Sequence, residues 1–193
     1  MDTIFGFVGA DFVLLGADRS TNFSIVRLTD TEDKIFSIDS NKLLATAGDP
    51  NLRSDFGSLM QKNMHLYHLR NGIKLSTHGT AHFIRTYVAE GLRKSPSYTD
   101  MLLAGFDESG PSLYYLDYLG VVQKIRVGSH GHAGSFILGL LDNWWSPNMT
   151  LEEAKEVAKK CVNEVKTRFL VAQPEFIIKI ADKNGVTELE LSA

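Results

Sequence analysis

The sequence predicts an α+β fold in which helices cover antiparallel sheets. Segments with the spacing of short strands fall into three blocks, separated by two pairs of segments with helical spacing. Tight-turn residues join consecutive strand segments at Gly9-Ala10-Asp11 and at Asp182-Lys183-Asn184-Gly185. No linker, low-complexity stretch or repeat interrupts residues 1–193, so one domain is expected. Pattern alone does not choose among topologies.

Residues 3–8 and 12–18 are apolar runs around the first turn, and strand character continues at 24–28, 34–38 and 42–47, stopping at Gly48. Asp49 then stands as an N-cap with Pro50 at the first helical position. Leu52, Phe56, Leu59, Met60, Met64 and Tyr67 recur at helical spacing until Asn71-Gly72 ends the run. A second helix opens at Ser76 or Thr77, carries Phe83, Ile84, Tyr87, Val88 and Leu92, and stops before Pro96. Strands at 101–106, 112–118 and 121–127 follow, separated by a turn at 107–111 and by Gly120. Residues 134–145 form a short helix. Thr150-Leu151-Glu152-Glu153 is a capping box heading a long one, with Ala154, Val157, Ala158, Cys161, Val165 and Phe169 on one face and Pro174 beyond. Strands at 175–181 and 186–191 close the chain.

With 44% apolar residues in 193, the chain can fill a large core. A net charge of −3 argues against a nucleic-acid or membrane-surface partner. The single cysteine, Cys161, cannot form an internal disulfide and reads as a small apolar residue on a buried helix face, which fits a reducing compartment. No basic stretch precedes an apolar run at the N-terminus and no window approaches a membrane span, so a soluble intracellular protein is expected.

Seven stretches carry a family resemblance by their order and spacing: DTIFGFVGADFVLLGADRS from residue 2, DKIFSI from 33, LLATAGD from 43, QKNMHLYHLRNG from 61, LLAGFDESGPSLYYLDYLG from 102, SHGHAG from 129 and EFIIKIADKNG from 175. Over residues 1–191 the chain resembles the beta-type subunits of the 20S proteasome, and among them the non-catalytic members. The resemblance implies the four-layer αββα sandwich of N-terminal nucleophile hydrolases, two stacked antiparallel sheets between two helical layers. It implies a structural subunit that completes a beta ring and its proteolytic chamber for ubiquitin-dependent degradation in cytoplasm and nucleus. Partners would be beta subunits of the same and the opposite ring and alpha subunits. No cofactor, metal, nucleic acid or membrane is implied.

Active members of that family use the hydroxyl of their own first residue as nucleophile and its α-amine as base. Asp2 stands where that threonine would be, behind only Met1. Exposing Thr3 would require removal of both. The resemblance places Asp18 and Lys34 at the positions of the supporting aspartate and lysine, and Gly48 at that of an oxyanion-hole glycine. With no nucleophile, Asp18 and Lys34 read as a retained ion pair, its strands side by side, and Gly48 as a strand-ending turn residue. Three further polar groups of the family pattern are lost at Gly131-His132-Ala133-Gly134 and at 168–172. No catalytic residue is therefore expected.

His78 and His82, His65 and His68, and His130 and His132 are closely spaced pairs, but nothing else near them in sequence matches a metal motif. They read as polar-face or interface histidines able to titrate near neutrality. Asn148-Met149-Thr150 fits a glycosylation acceptor, yet Thr150 serves better as a helix cap. Trp144-Trp145, Tyr114-Tyr115 and Tyr118 read as interface anchors. Segments 65–67, 114–118 and a 128–134 loop are the expected contact sites. The competing functions are an active N-terminal threonine peptidase, which would need a free terminal hydroxyl or thiol, and a free-standing binding scaffold, which would be a stable monomer.

Overall fold

A computed structural model describes residues 2–24 and 26–190. Strands β1 (Thr3–Val8) and β2 (Phe12–Asp18) form the first hairpin. β3 (Thr21–Phe23) and β4 (Val26–Thr29) form a small separate one, and β5 (Ile35–Asp39) and β6 (Lys42–Gly48) a third. Helices α1 (Pro50–Asn71) and α2 (Thr77–Gly91) follow, then strands β7 (Thr99–Asp107), β8 (Gly110–Leu116), β9 (Val122–Ile125) and β10 (Val127–Gly131). Helices α3 (Gly134–Trp144) and α4 (Leu151–Arg168) precede the closing pair β11 (Phe176–Asp182) and β12 (Gly185–Leu189).

Two five-stranded sheets, ordered β10-β1-β2-β11-β12 and β5-β6-β7-β8-β9, are antiparallel throughout. Alternation of side chains along each strand assigns them to three apolar layers. Ile4, Val13, Leu15, Leu43, Ala45, Leu102 and Leu113 pack between the sheets. Phe5, Phe7, Leu14 and Ile178 turn outward onto Ile137 and Leu141 of α3 and Val157, Cys161 and Val165 of α4. Leu44, Met101, Leu103 and Tyr114 turn the other way onto Phe56, Met60 and Met64 of α1 and Ile84 and Val88 of α2. The architecture is therefore the four-layer αββα sandwich. Both sheets are buried on both faces, which is why their central strands read as continuous apolar runs.

The caps follow the sequence. Asp49 accepts from the N–H groups of Asn51 and Leu52 at 3.1 and 3.4 Å, and Gly72 ends α1 in the left-handed conformation. Ser76 caps α2, and Thr150 with Glu153 forms the capping box of α4. The Thr150 N–H and hydroxyl both donate to the Glu153 carboxylate and hold its pKa below the ordinary value.

Four expectations need correction. The strand expected at 24–28 begins only at Val26, as β4; Ser24, at φ 55°, is a turn residue after β3, and position 25 lies outside the described residues, as does position 191 of the last strand. The strand expected at 121–127 is two: the chain leaves the β8–β9 sheet at Arg126, and β10 pairs with β1 in the other sheet. The 128–134 loop is accordingly mostly strand. Helix α4 stops at Arg168, well before Pro174, and Phe169 takes an extended cap conformation.

Candidate functional site

The four-layer fold brings Asp2, Asp18, Lys34 and Gly48 together at one end of the sandwich. Asp18 ends β2, and its Oδ1 accepts the Thr3 N–H at 2.7 Å while Oδ2 accepts the Ser20 N–H at 3.1 Å. Lys34, just before β5, donates from Nζ to Asp18 Oδ1 and Oδ2, both at 2.9 Å, to Asp2 Oδ1 at 2.8 Å and to the Ser20 carbonyl at 2.7 Å. Three ammonium protons thus meet three acceptor groups. Asp18 and Lys34 are almost wholly enclosed, at 0% and 1% exposure. Burial is the leading influence on Asp18 and raises its pKa from 3.8; Lys34 and the Thr3 amide pull it back, and Asp2 pushes it further up.

The Asp18–Lys34 contact matches the expected ion pair, but the strands do not lie side by side. β2 belongs to one sheet and β5 to the other, so the pair bridges the sandwich instead of joining neighbours within one sheet. That geometry makes it a tie between layers.

Gly48 also departs from its expected role. Its N–H donates to Asp2 Oδ2 at 2.9 Å, so it is a working donor and not merely a turn residue. A φ of 144° and a Tyr98 carbonyl 2.4 Å from where a Cβ would sit both require glycine there. Arg53, in the first turns of α1 and 1% exposed, approaches the same Oδ2 with Nη1 at 3.3 Å. Its Nη2 donates to Thr21 Oγ1 at 3.3 Å and pairs with Glu32. The Asp2 carbonyl in turn accepts the His132 N–H at 3.2 Å. Gly131 permits that approach, since a Cβ at φ 92° would lie 2.0 Å from the carbonyl oxygen.

Arg53 and the ligand role of Asp2 escaped the sequence reading. Each charge is visible in the sequence, but no periodic or motif signal links residues 2, 34 and 53. Chemically, the arrangement offers no hydroxyl or thiol at residue 2, and a carboxylate occupies the donors around it. The Thr3 nitrogen is a peptide amide bound to Asp18, so it cannot act as a base. Among the described residues, Thr3 Oγ1, Ser20 Oγ, Thr46 Oγ1 and Arg53 Nε are buried without a hydrogen-bond partner, which marks the enclosure as polar.

Other expected sites fall elsewhere. His130 is buried on β10, stacked on Tyr115 with ring centroids 4.1 Å apart, its Nε2 3.1 Å from the Met101 carbonyl and Nδ1 3.8 Å from Asp100. Burial holds its pKa below 6.5 against the pull of Asp100, so it is not the near-neutral surface histidine expected. Tyr114 is likewise interior, at 5% exposure, because β8 turns it onto the helical layer. His78 and His82 do meet, with ring centroids 4.3 Å apart. No group of three or more potential metal ligands occurs among the described residues. Cys161 is buried against the outer sheet face, which pushes its thiol up to about 12. Trp145 donates from Nε1 to the Val8 carbonyl at 2.8 Å, whereas Trp144 is half exposed beneath the Lys160 ammonium.

Residues 1–181 match the family described as Proteasome subunit. The chain is 44% identical over 189 residues to "Proteasome subunit beta type-2" of Oryza sativa subsp. japonica, covering 97% of this chain and 89% of that protein. It is 41% identical over 197 residues to the protein of the same name in Dictyostelium discoideum, covering 100% and 99%. It is 32% identical over 193 residues to "Proteasome subunit beta type-4" of Saccharomyces cerevisiae, covering 98% of each.

Proposed function

Because the chain belongs to the proteasome subunit family, as a beta-type subunit without the catalytic threonine, we propose that its work is architectural. It completes a seven-membered beta ring, contacts the opposite beta ring and an alpha ring, and walls the chamber in which neighbouring subunits cut ubiquitin-tagged proteins. It acts there as one domain over 1–193, in cytoplasm and nucleus, without a cofactor. Asp18, Lys34 and Gly48 are the vestige of a catalytic site, and none of them is catalytic.

One observation carries the reading: a buried carboxylate, Asp2, holds the place where the resemblance puts a nucleophile, and it is fastened there by Lys34, Gly48 and Arg53. The surface supports an assembled state. Phe23, Val26 and Leu28 of the β3–β4 hairpin are 74%, 56% and 66% exposed, and Leu66, Leu69 and Ile73 line the outward face of α1 and its exit. His65 and Leu66 of the expected 65–67 contact lie on that face. Tyr114 and residues 128–130 are interior and cannot serve as expected. No helix among the described residues is long and apolar enough to cross a membrane.

Native mass measurement of purified particles, combined with a threonine-directed epoxyketone, tests the proposal. The chain is expected in a large heteromeric particle and unlabelled. Covalent labelling of this chain, or its purification only as a monomer, would refute it.

A further inference from the structure

The retained site is more than an emptied one. Two hydrogen-bond donors and a guanidinium converge on the Asp2 carboxylate, and none comes from the strand that Asp2 precedes. Lys34 Nζ reaches Oδ1 at 2.8 Å, while the Gly48 N–H and Arg53 Nη1 reach Oδ2 at 2.9 and 3.3 Å. Each cationic donor is braced independently of Asp2. Lys34 is held by Asp18 and the Ser20 carbonyl, and Arg53 by Glu32, Thr21 Oγ1 and the Gly48 carbonyl at 3.4 Å. The donor set is therefore pre-organised around a two-oxygen anion.

We infer that Asp2 is the resident ligand of a built carboxylate receptor, and that the receptor freed of this side chain takes a small free carboxylate such as formate or acetate. Lys34 and Arg53 are balanced in charge by Asp18 and Glu32, so the receptor selects by donor geometry instead of by excess charge. A carboxylate spans both halves, Lys34 on one oxygen and Gly48 with Arg53 on the other. Chloride, a single centre, engages one half at a time. In the native chain the ligand is tethered, and its high effective concentration keeps external anions out. The tether joins the start of β1, in one sheet, to the head of β5, the end of β6 and α1 on the other side of the sandwich. This goes beyond the assembly role and holds whatever particle the chain enters.

The Gly48 amide reports the occupant directly. Gly48 is itself exposed, so its N–H would exchange rapidly without the carboxylate. In assembled particles, hydrogen exchange at Gly48 should be slow in the unmodified chain. In a D2G chain, with Met1 retained by intact mass, it should speed up by about tenfold or more, the scale of a lost charge-assisted bond. Added formate or acetate should restore protection saturably, with chloride at equal ionic strength and acetamide as controls. Equal protection by chloride or acetamide, or none by formate, would overturn the inference. If D2G does not assemble, the unmodified chain decides: Gly48 exchange as fast as an unstructured glycine rules the receptor out, and slow exchange supports it.

Discussion

Two buried lysines open neighbouring strands of the same sheet, and they are held in opposite ways. Lys34 precedes β5 and is fastened by groups from two distant segments, Asp2 on one side and Asp18 with Ser20 on the other. Lys42 begins β6 and is fastened mainly by its own turn, with Asp39 Oδ2 at 2.9 Å and Asn41 Oδ1 at 3.1 Å. A distant partner, Asp107, stands off at 3.9 Å. The carboxylates differ too. Those on Lys34 are sealed in, whereas Asp39 and Asp107 keep 18% and 20% of their side chains in water, Asp107 on the wall of a cavity of about 490 Å³. A buried charge tied by long-range partners welds layers together, while one tied locally only finishes a hairpin.

Lys34→Met should break this contrast most strongly. It leaves the enclosed Asp18 carboxylate without a counter-ion and Asp2 with Arg53 alone, at a cost of about 4–5 kcal/mol, the upper range for a disrupted buried pair. Loss of assembled particles and a large drop in the denaturant midpoint of the chain would show it; a drop no larger than that of Lys42→Met would erase the distinction.

Asp18→Ala should follow at about 3 kcal/mol, because Lys34 keeps Asp2 and the Ser20 carbonyl. Particles that do incorporate the variant should retain each peptidase activity, since this chain supplies none; selective loss of one activity would count against the vestigial reading. Lys42→Met should lower stability by only about 1.5 kcal/mol, because its half-open carboxylates rehydrate. Urea titration of both lysine variants together measures the comparison directly.

The smallest effect is a pH slope. Burial depresses the His130 pKa below 6.5, with Asp100, Asp117 and the Met101 carbonyl opposing it. The unfolded chain then binds the proton more readily, so this contribution is intact above pH 6.5 and is lost as pH falls through the depressed folded value. His130→Gln should flatten the stability profile over that window. An unchanged slope would show that His130 is not the group responsible.

Much of the fold was legible because its signals are local. Caps at Asp49, Ser76 and Thr150 and the turns at 9–11 and 182–185 each depend on a few adjacent residues, and the structure places them as read. The break at Arg126 was not legible. Residues 121–127 are uniformly compatible with a strand, and only the availability of β1 as a second partner divides them between sheets. The outward face of Tyr114 was hidden for a related reason: with both sheet faces covered, neither face of β8 carries a polar signature.

By itself, the sequence determined most of the strand segments, the helices and where they begin, and that residue 2 carries a carboxylate in place of a hydroxyl. It also supplied the identities of Asp18, Lys34 and Gly48. Only the tertiary structure decided that Asp2 would lie against Lys34, Gly48 and Arg53, and that the Asp18–Lys34 pair would join the two sheets. The physical reason is range. Capping and turn preferences act over a few residues, whereas the carboxylate's partners lie 32, 46 and 51 positions away (34 − 2, 48 − 2 and 53 − 2) and meet only when the packed layers force their charges out of water together.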